Sequence, residues 1–389
     1  MFAVCSHQPG EAHKPITSPY TFNEDVFPIV RERCGQCHVA GGVAPMSLMT
    51  HQEGVPWGES IRAELIAGHM PPWTLETASS KFRNVPTLTA RELNVLLTWV
   101  TGGTPIGEAQ RTPPRVEVQH TWPLGTPDLA LTMPQEVVLA EDVKETVQEI
   151  TLPTRTTEAH WLKAVDLQPG TPSVVRNATV LLKLPGGAPA PSAVGPERLL
   201  ALWVPGDPPV PLDGAGFALP AGAELIVRIH YKKTWENERS AMRDRSTIGL
   251  YFADGPAVAL WAVDLSAAHG DTPPARGDRL SFRQTIDEDL DAFAIYPDPA
   301  LAHAHVRVDA VRPDGGREEL IAFRPQPNWA RRYWFAKAVS LPRGSTVEVT
   351  AAFNDALLPP GATPPPRVDP DPALVRLTLN VIPTNRQAN

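Results

Sequence analysis

Cysteine is scarce in this chain, and its scarcity limits the kinds of site that the cysteines can form. The chain has 389 residues and only three cysteines, two of which stand in one short motif. A structural zinc site built on such a pair needs a second ligand pair, and no cysteine remains to form one. A thioredoxin-like dithiol needs a βαβ context, which the surrounding pattern lacks.

Long apolar runs and excess basic charge are also lacking. No stretch approaches the roughly 18 uninterrupted apolar residues of a membrane-spanning helix. The formal net charge is -8 at pH 7, which gives no electrostatic footprint for nucleic acid. An acidic chain suits docking to a basic redox partner. Neither a G-x-S-x-G nucleophile motif nor a phosphate-binding loop is present.

Proline, by contrast, is abundant, with 44 residues. Helix interiors exclude proline, so most of the chain is expected to form strands, turns and loops. The densest stretches are residues 185–220 and 359–372. At this length the chain is expected to divide into two or three domains, each with its own core.

The strongest motif is Cys34-Gly35-Gln36-Cys37-His38. Two thiols at this spacing reach the two vinyl groups of haem, and the histidine that follows becomes the proximal iron ligand. The motif therefore predicts one covalently attached haem c, bound through Cys34, Cys37 and His38.

The second axial ligand is predicted to be Met70. It stands between the end of a predicted helix and Pro71-Pro72, where the restricted backbone would fix a ligand. A thioether raises the reduction potential relative to a second histidine. His69 is the main rival, whereas Met46 and Met49 are expected to fill the core. Trp73 and Trp99 are expected either beside the haem edge or in the core.

Three helices are predicted around the motif. The first has Asn23 as its N-cap and carries the motif at its end. The second runs from about Pro56 to Gly68, and the third follows the capping box that begins at Thr89. Three helices within about 85 residues are typical of a class I cytochrome c domain.

Beyond residue 126 the pattern changes to period two, which is typical of strands. Clear strands are predicted at residues 178–182, 223–231 and 345–350. Leu219-Pro220-Ala221-Gly222 and Leu341-Pro342-Arg343-Gly344 each precede one of them. Two related sandwiches that meet near residue 265 would explain this weak repeat, and so would turn chemistry alone.

The predicted fold class is multidomain α plus all-β. A helical class I cytochrome c domain is followed by two antiparallel, jelly-roll-like β-sandwich domains. The predicted divisions are a flexible leader (1–19), the cytochrome c domain (20–105), a proline-rich linker (106–126), the first β-sandwich (127–264) and the second β-sandwich (265–389).

The order of short motifs resembles a known arrangement, in which a cytochrome c module precedes bacterial relatives of the copper type II ascorbate-dependent monooxygenases. These are similar to peptidylglycine α-hydroxylating monooxygenase. The resemblance extends over most of the chain, and its strength lies in the shared order of the motifs. The matching stretches are residues 34–38, 42–48, 70–73, 81–84, 122–129, 161–165, 168–170, 230–231, 244–250, 311–315, 328–329 and 341–344.

The resemblance implies two copper sites, but this chain departs from both. One site takes an adjacent histidine pair and a third histidine. Arg176-Asn177 replaces the pair, and arginine does not ligate metals because it keeps its proton. The other takes His-x-His and a methionine, but the chain has Asp298-Pro299-Ala300 there and no terminal methionine. Only His230 remains, so copper is not expected.

A shifted second metal site is the alternative. His303 and His305 form a His-x-His pair that lies later than the family pattern implies. With His230 they would bind copper or zinc if the three side chains met. The simpler interpretation is that the pair lies on the surface at the start of a strand, and that His230 is a relic hydrogen-bonded in a sheet.

The predicted function is electron transfer by a c-type cytochrome, with a degenerate, copper-free monooxygenase-like region as a docking or scaffold module in a redox assembly. The alternatives are a copper- and ascorbate-dependent monooxygenase fed by the haem, and a haem peroxidase-like enzyme. Covalent haem attachment follows export, so a periplasmic or extracellular location is expected, with the export signal upstream of this numbering. Membrane contact is expected only through a possible lipid on Cys5.

Overall fold

The computed structural model describes residues 17–83, 85, 87–118, 120–183, 194–196, 198–267, 279–299, 301, 304–353 and 375–384. Most of the predicted leader, with Cys5, lies outside these residues, as does His303. We refer below to residues 17–111 as the helical part and to residues 129–383 as the β region.

The helical part is built around a small apolar core. Phe22, Trp99 and Leu96 are almost fully buried in it. Short 3₁₀ or π-helical turns extend or link its α-helices at residues 22–26, 55–57, 79–81 and 109–111. The α-helices are α1 (Phe27–Arg33), α2 (His51–Gly54), α3 (Gly58–Ile66) and α4 (Ala90–Thr101).

The predicted start of α4 is confirmed, whereas the predicted start of the first helix is wrong. Thr89 Oγ1 accepts a hydrogen bond from the Glu92 amide (3.1 Å), and Glu92 Oε2 accepts one from the Thr89 amide (2.7 Å). This reciprocal pair is a capping box. Asn23 instead lies inside the first helical turn, where its side-chain amide donates to the Glu108 carbonyl (2.9 Å). Its side chain thus serves a distant contact that local sequence does not encode.

Strands dominate the rest of the chain. Their bounds are β1 (Thr74–Leu75), β2 (Leu129–Thr132), β3 (Val137–Leu139), β4 (Glu145–Pro153), β5 (His160–Gln168), β6 (Val175–Lys183), β7 (Val194–Pro196), β8 (Leu199–Trp203), β9 (Ala215–Leu219), β10 (Glu224–Lys232), β11 (Met242–Asp244), β12 (Thr247–Phe252), β13 (Val258–Ala259), β14 (Trp261–Ser266), β15 (Arg279–Thr285), β16 (Leu290–Pro297), β17 (Ala304–Val311), β18 (Arg317–Arg324), β19 (Tyr333–Leu341), β20 (Thr346–Phe353) and β21 (Arg376–Pro383).

The three strands predicted from period-two patterns are confirmed as β6, β10 and β20. Leu225, Val227 and Ile229 are fully buried on one face of β10, because successive side chains of a strand point to opposite faces. The alternation therefore identifies both the strand and its inward face.

The strands form four larger sheets and one two-stranded sheet, with two large cores between them. The first core lies between the sheets β4-β10-β6-β8 and β13-β9-β5-β12-β2. The second lies between β1-β18-β17-β20-β15 and β19-β16-β21-β14-β7. The two-stranded sheet is β11-β3.

The predicted fold class, a class I cytochrome c helical domain followed by two antiparallel β-sandwich domains, is wrong. Of the residues that the structure describes, 41% lie in strands and 15% in helices, and the larger sheets have a propeller-like arrangement with four blades. β1 from the helical part pairs with β18, and Phe82 bridges to Phe335. β7 joins the sheet of β14 and β21, far along the chain. Periodicity identifies a strand but not its sheet, because pairing partners are distant in sequence.

The weak internal repeat marks two equivalent turns. One turn leads from β9 to β10 and the other from β19 to β20, and in both cases the two strands belong to different sheets. Gly222 and Gly344 have φ angles of 66° and 86°, a left-handed conformation that favours glycine. The repeated Leu-Pro-x-Gly therefore corresponds to the same type of turn at both positions.

Among the described residues, no helix is both long and apolar enough to cross a membrane.

We predict that Thr77→Val lowers the free energy of unfolding by about 1–3 kcal/mol, because it removes buried hydrogen bonds. The Thr77 hydroxyl donates to Glu319 (2.7 Å) and accepts from the Ala322 amide (2.6 Å), which fastens the helical part to β18. Urea unfolding of both proteins measures the loss.

The matched control for this substitution is Thr101→Val. The Thr101 hydroxyl is exposed and bonds only within its own helix, to Leu97 (2.8 Å) and Thr98 (3.3 Å). Surface changes of this kind stay within about 0.5 kcal/mol. Equal losses in the two variants would show that the contact with β18 contributes nothing to stability.

Candidate functional site

A cavity of about 830 Å³ lies between the helical part and the β region. This volume falls within the range of about 300–1,000 Å³ that is usual for small-molecule and cofactor sites. Its wall is mainly apolar and includes Trp57, Trp73 and Trp99. The sequence-predicted residues Cys34, Cys37, His38 and Met70 all line it, together with Arg176, Gly206 and Trp329 from the β region.

The cysteine motif enters this cavity as a tight turn at the end of α1. The amides of Cys37 and His38 both donate to the Cys34 carbonyl, at 3.1 and 2.8 Å. A Cβ atom at Gly35 would lie 2.5 Å from the Arg31 carbonyl oxygen, closer than real contacts allow. Only glycine fits between the two cysteines at this point, and the turn brings both thiols to the same cavity.

The imidazole of His38 is held in one tautomer. Its Nδ1 lies 3.2 Å from the Met46 carbonyl oxygen. A carbonyl only accepts, so Nδ1 carries the proton and Nε2 keeps a free lone pair. Burial also lowers the pKa of His38, which favours the neutral ring. A neutral imidazole fixed through its other nitrogen is the usual form of a metal-binding histidine.

The two thiols are poor candidates for a reactive dithiol. Burial raises the pKa of Cys34 and of Cys37 to about 12. The thiolate is the nucleophile in disulfide exchange, and such pKa values leave almost none at neutral pH. The Cys37 thiol also lies 3.7 Å from the Pro205 carbonyl of the β region.

The predicted and rival axial groups have different surroundings. Met70 lines the cavity and is 38% exposed. Met46 also lines it, but the Met46 carbonyl holds His38, which places this residue beside the proximal ligand. Met49 is buried in the helical core. His69 points to Glu64, with 3.1 Å between its Nδ1 and the carboxylate.

The β region closes the cavity with an aromatic and cationic wall. The Arg331 guanidinium lies 4.8 Å from the centre of the Trp73 ring and pairs with Asp207. Trp73 also meets Trp329 edge to face, with 6.2 Å between ring centroids. The prediction of Trp73 at the cavity is thus consistent with the geometry. In the sequence, Trp329 stood out only as part of the resemblance, and nothing indicated that it or Arg331 reaches Trp73, because they lie some 250 residues away.

His230 and His305, two of the three residues proposed for a second metal, lie in different sheets and have different partners. His230 accepts at Nδ1 from Asn177 (3.1 Å), and its Nε2 lies 2.7 Å from Glu145. His305 lies on β17 in another sheet, with its Nε2 2.8 Å from Glu76. Both nitrogens of His230 are therefore occupied. Within the described ranges, which omit His303, no group of three or more His, Cys, Asp or Glu side chains is arranged to hold a metal ion.

Arg176-Asn177, which replaces the adjacent histidine pair of the resembled family, has other contacts. Arg176 Nη1 donates to the Val43 carbonyl in the helical part (2.9 Å). Asn177 donates to His230 (3.1 Å) and to the Asn328 carbonyl (3.2 Å). The sequence singled out these two residues because they replace expected histidine ligands. It gave no sign that Arg176 reaches the cavity.

Comparison with known proteins identifies no family. No family model and no curated protein matches the chain. Solved structures with weak similarity include an allantoicase (11% identity, TM-score 0.17, 52% of this chain and 73% of that one) and a Paenibacillus xanthan lyase (11%, 0.18, 70% and 28%). Procruciferin from Brassica napus is similar at 11% identity and a TM-score of 0.15, over 67% and 85% of the two chains. These scores carry no argument about fold or function.

We predict that Cys34 and Cys37 react slowly with iodoacetamide in folded, haem-free protein. A pKa of about 12 makes the thiolate fraction at pH 8 roughly a thousandfold smaller than for ordinary cysteine. Mass spectrometry of a Cys5→Ser variant follows the reaction without the third thiol. The same protein in urea is the control, and equal rates in both states would contradict the burial of the thiols.

Proposed function

We propose that this chain is a c-type cytochrome that transfers single electrons, with haem attached at Cys34 and Cys37. The observation that carries the proposal is that Cys34, Cys37 and His38 line one cavity, with the Nδ1 of His38 held by the Met46 carbonyl. The spacing of the thiols is that of covalent haem attachment. Because attachment follows export, we propose a periplasmic or extracellular location.

The cavity fits haem in size, lining and donor set. Its wall is apolar, as a porphyrin face requires, and it spans about 830 Å³. Neutral imidazole and thioether are the axial ligands of c-type cytochromes that have a high potential. Bound haem would supply a one-electron iron couple at this position.

The surrounding residues determine how this group is held. His38 presents a neutral lone pair to the cavity, and the Met46 carbonyl prevents its ring from turning. Met70 is proposed as the second axial ligand. The tryptophans at positions 57, 73 and 99 exclude water from the wall and lower the local dielectric.

The β region is proposed as a docking or scaffold module for a redox partner. The residues at the expected copper positions do not support copper chemistry, because Arg176 keeps its proton and both ring nitrogens of His230 are engaged. The net charge of -8 suits a basic partner. No geometry among the described residues favours the copper monooxygenase, and Met70 in the cavity wall disfavours an open-site peroxidase.

We predict one iron atom per chain and negligible copper in protein exported by a host that attaches haem c. The haem should remain with the chain after denaturation, because thioether bonds are covalent. Elemental analysis and denaturing electrophoresis with haem staining measure both properties.

Replacing Cys34 and Cys37 with alanine should abolish the haem stain, whereas Cys5→Ala should retain it. A chain without haem after export, or one with stoichiometric copper, would refute the proposed function.

We predict that Met70→Leu removes the sulfur-to-iron charge-transfer band of the oxidised protein and lowers its reduction potential, because a thioether favours ferrous iron. Met46→Leu is the matched control, since Met46 contacts the site through its backbone carbonyl. Optical redox titration measures both effects. Persistence of the band in Met70→Leu would assign the ligand elsewhere.

A further inference from the structure

Among the described residues of the β region, Arg176 is the one charged residue that lines the cavity. It lies on β6, and its Nη1 donates to the Val43 carbonyl (2.9 Å) in the helical part. Val43 belongs to the same loop as Met46, whose carbonyl holds the His38 ring. Arg176 therefore connects the β region to the segment that orients the proximal histidine.

The positive charge of Arg176 is not neutralised by a carboxylate. Its Nε is buried and has no hydrogen-bond partner among the described residues. Glu145 acts on it electrostatically, but that carboxylate is engaged by Lys232 at 2.9 Å and by His230 at 2.7 Å. Guanidinium keeps its proton in proteins, so the cation persists despite its burial.

The other charged side chains in the wall are paired. Arg33 contacts Glu92 at 3.0 Å and Glu32 at 3.2 Å. Glu64 contacts His69 at 3.1 Å. The side chains of Glu32 and Glu64 are 67% and 48% exposed, so water screens their charges. Arg176 therefore supplies the main weakly screened charge of the cavity wall. An apolar wall screens such a charge much less than water does.

We propose that the β region raises the reduction potential of haem held at Cys34, Cys37 and His38 through the positive charge of Arg176. This inference rests on the proposed function. Reduction adds one electron to the iron centre, so a fixed cation nearby favours the reduced form. Its bond to Val43 keeps that cation at a constant distance from the site.

The test is optical redox titration of the full, haem-loaded protein with Arg176→Gln and Arg176→Lys. Arg176→Gln should shift the redox equilibrium at least tenfold toward the oxidised form, which is about 59 mV for a one-electron couple. Arg176→Lys keeps the charge and should keep most of the potential. The matched control is Arg228→Gln on β10, where the exposed guanidinium pairs with Glu149 at 2.7 Å.

The outcomes separate this inference from the proposed function. Haem-bearing Arg176→Gln with a potential equal to that of Arg228→Gln would overturn the role of Arg176 alone. An equal loss in Arg176→Gln and Arg176→Lys would also overturn it, because the charge would then be irrelevant. Wild-type protein without haem would overturn the proposed function itself. If Arg176→Gln does not fold, Arg176→Met retains the aliphatic stem and provides the same comparison.

Discussion

The hydrogen bond between His38 Nδ1 and the Met46 carbonyl is the interaction on which the candidate site depends. It selects the tautomer of the imidazole and directs the remaining lone pair into the cavity. The cysteines precede His38 in a turn whose amides converge on the Cys34 carbonyl, so thiols and imidazole keep one orientation. Without this bond the ring would be free to rotate, and the three groups would no longer define a site.

The β region completes this site instead of standing apart from it. Arg176 fixes the loop that contains Val43, and Trp73 lies between the cavity and the buried pair of Arg331 and Asp207. Part of the wall of this cavity comes from residues far along the chain, so the helical part does not form the cavity alone.

The capping box at Thr89, the long alternating strands and the grouping of Cys34, Cys37 and His38 were predictable from sequence. Each depends on neighbours within a few residues, as the burial of Leu225, Val227 and Ile229 illustrates. The sheet arrangement was not predictable, because β1 is only two residues long and its pairing with β18 leaves no periodic pattern. The part of the cavity wall that comes from the β region was not predictable for the same reason. Arg176 and Trp329 come close to the cysteine motif only through the tertiary fold.

The short strand β1 also has a mechanical consequence. It forms one edge of its sheet, next to β18, and only Pro71, Pro72 and Trp73 separate it from Met70. Two consecutive prolines transmit displacement well because their backbone is stiff. A molecule that added a strand to this edge, or peeled β1 away, would pull directly on the thioether. A contact at this sheet edge would thus change the position of Met70 in the cavity wall from a distance.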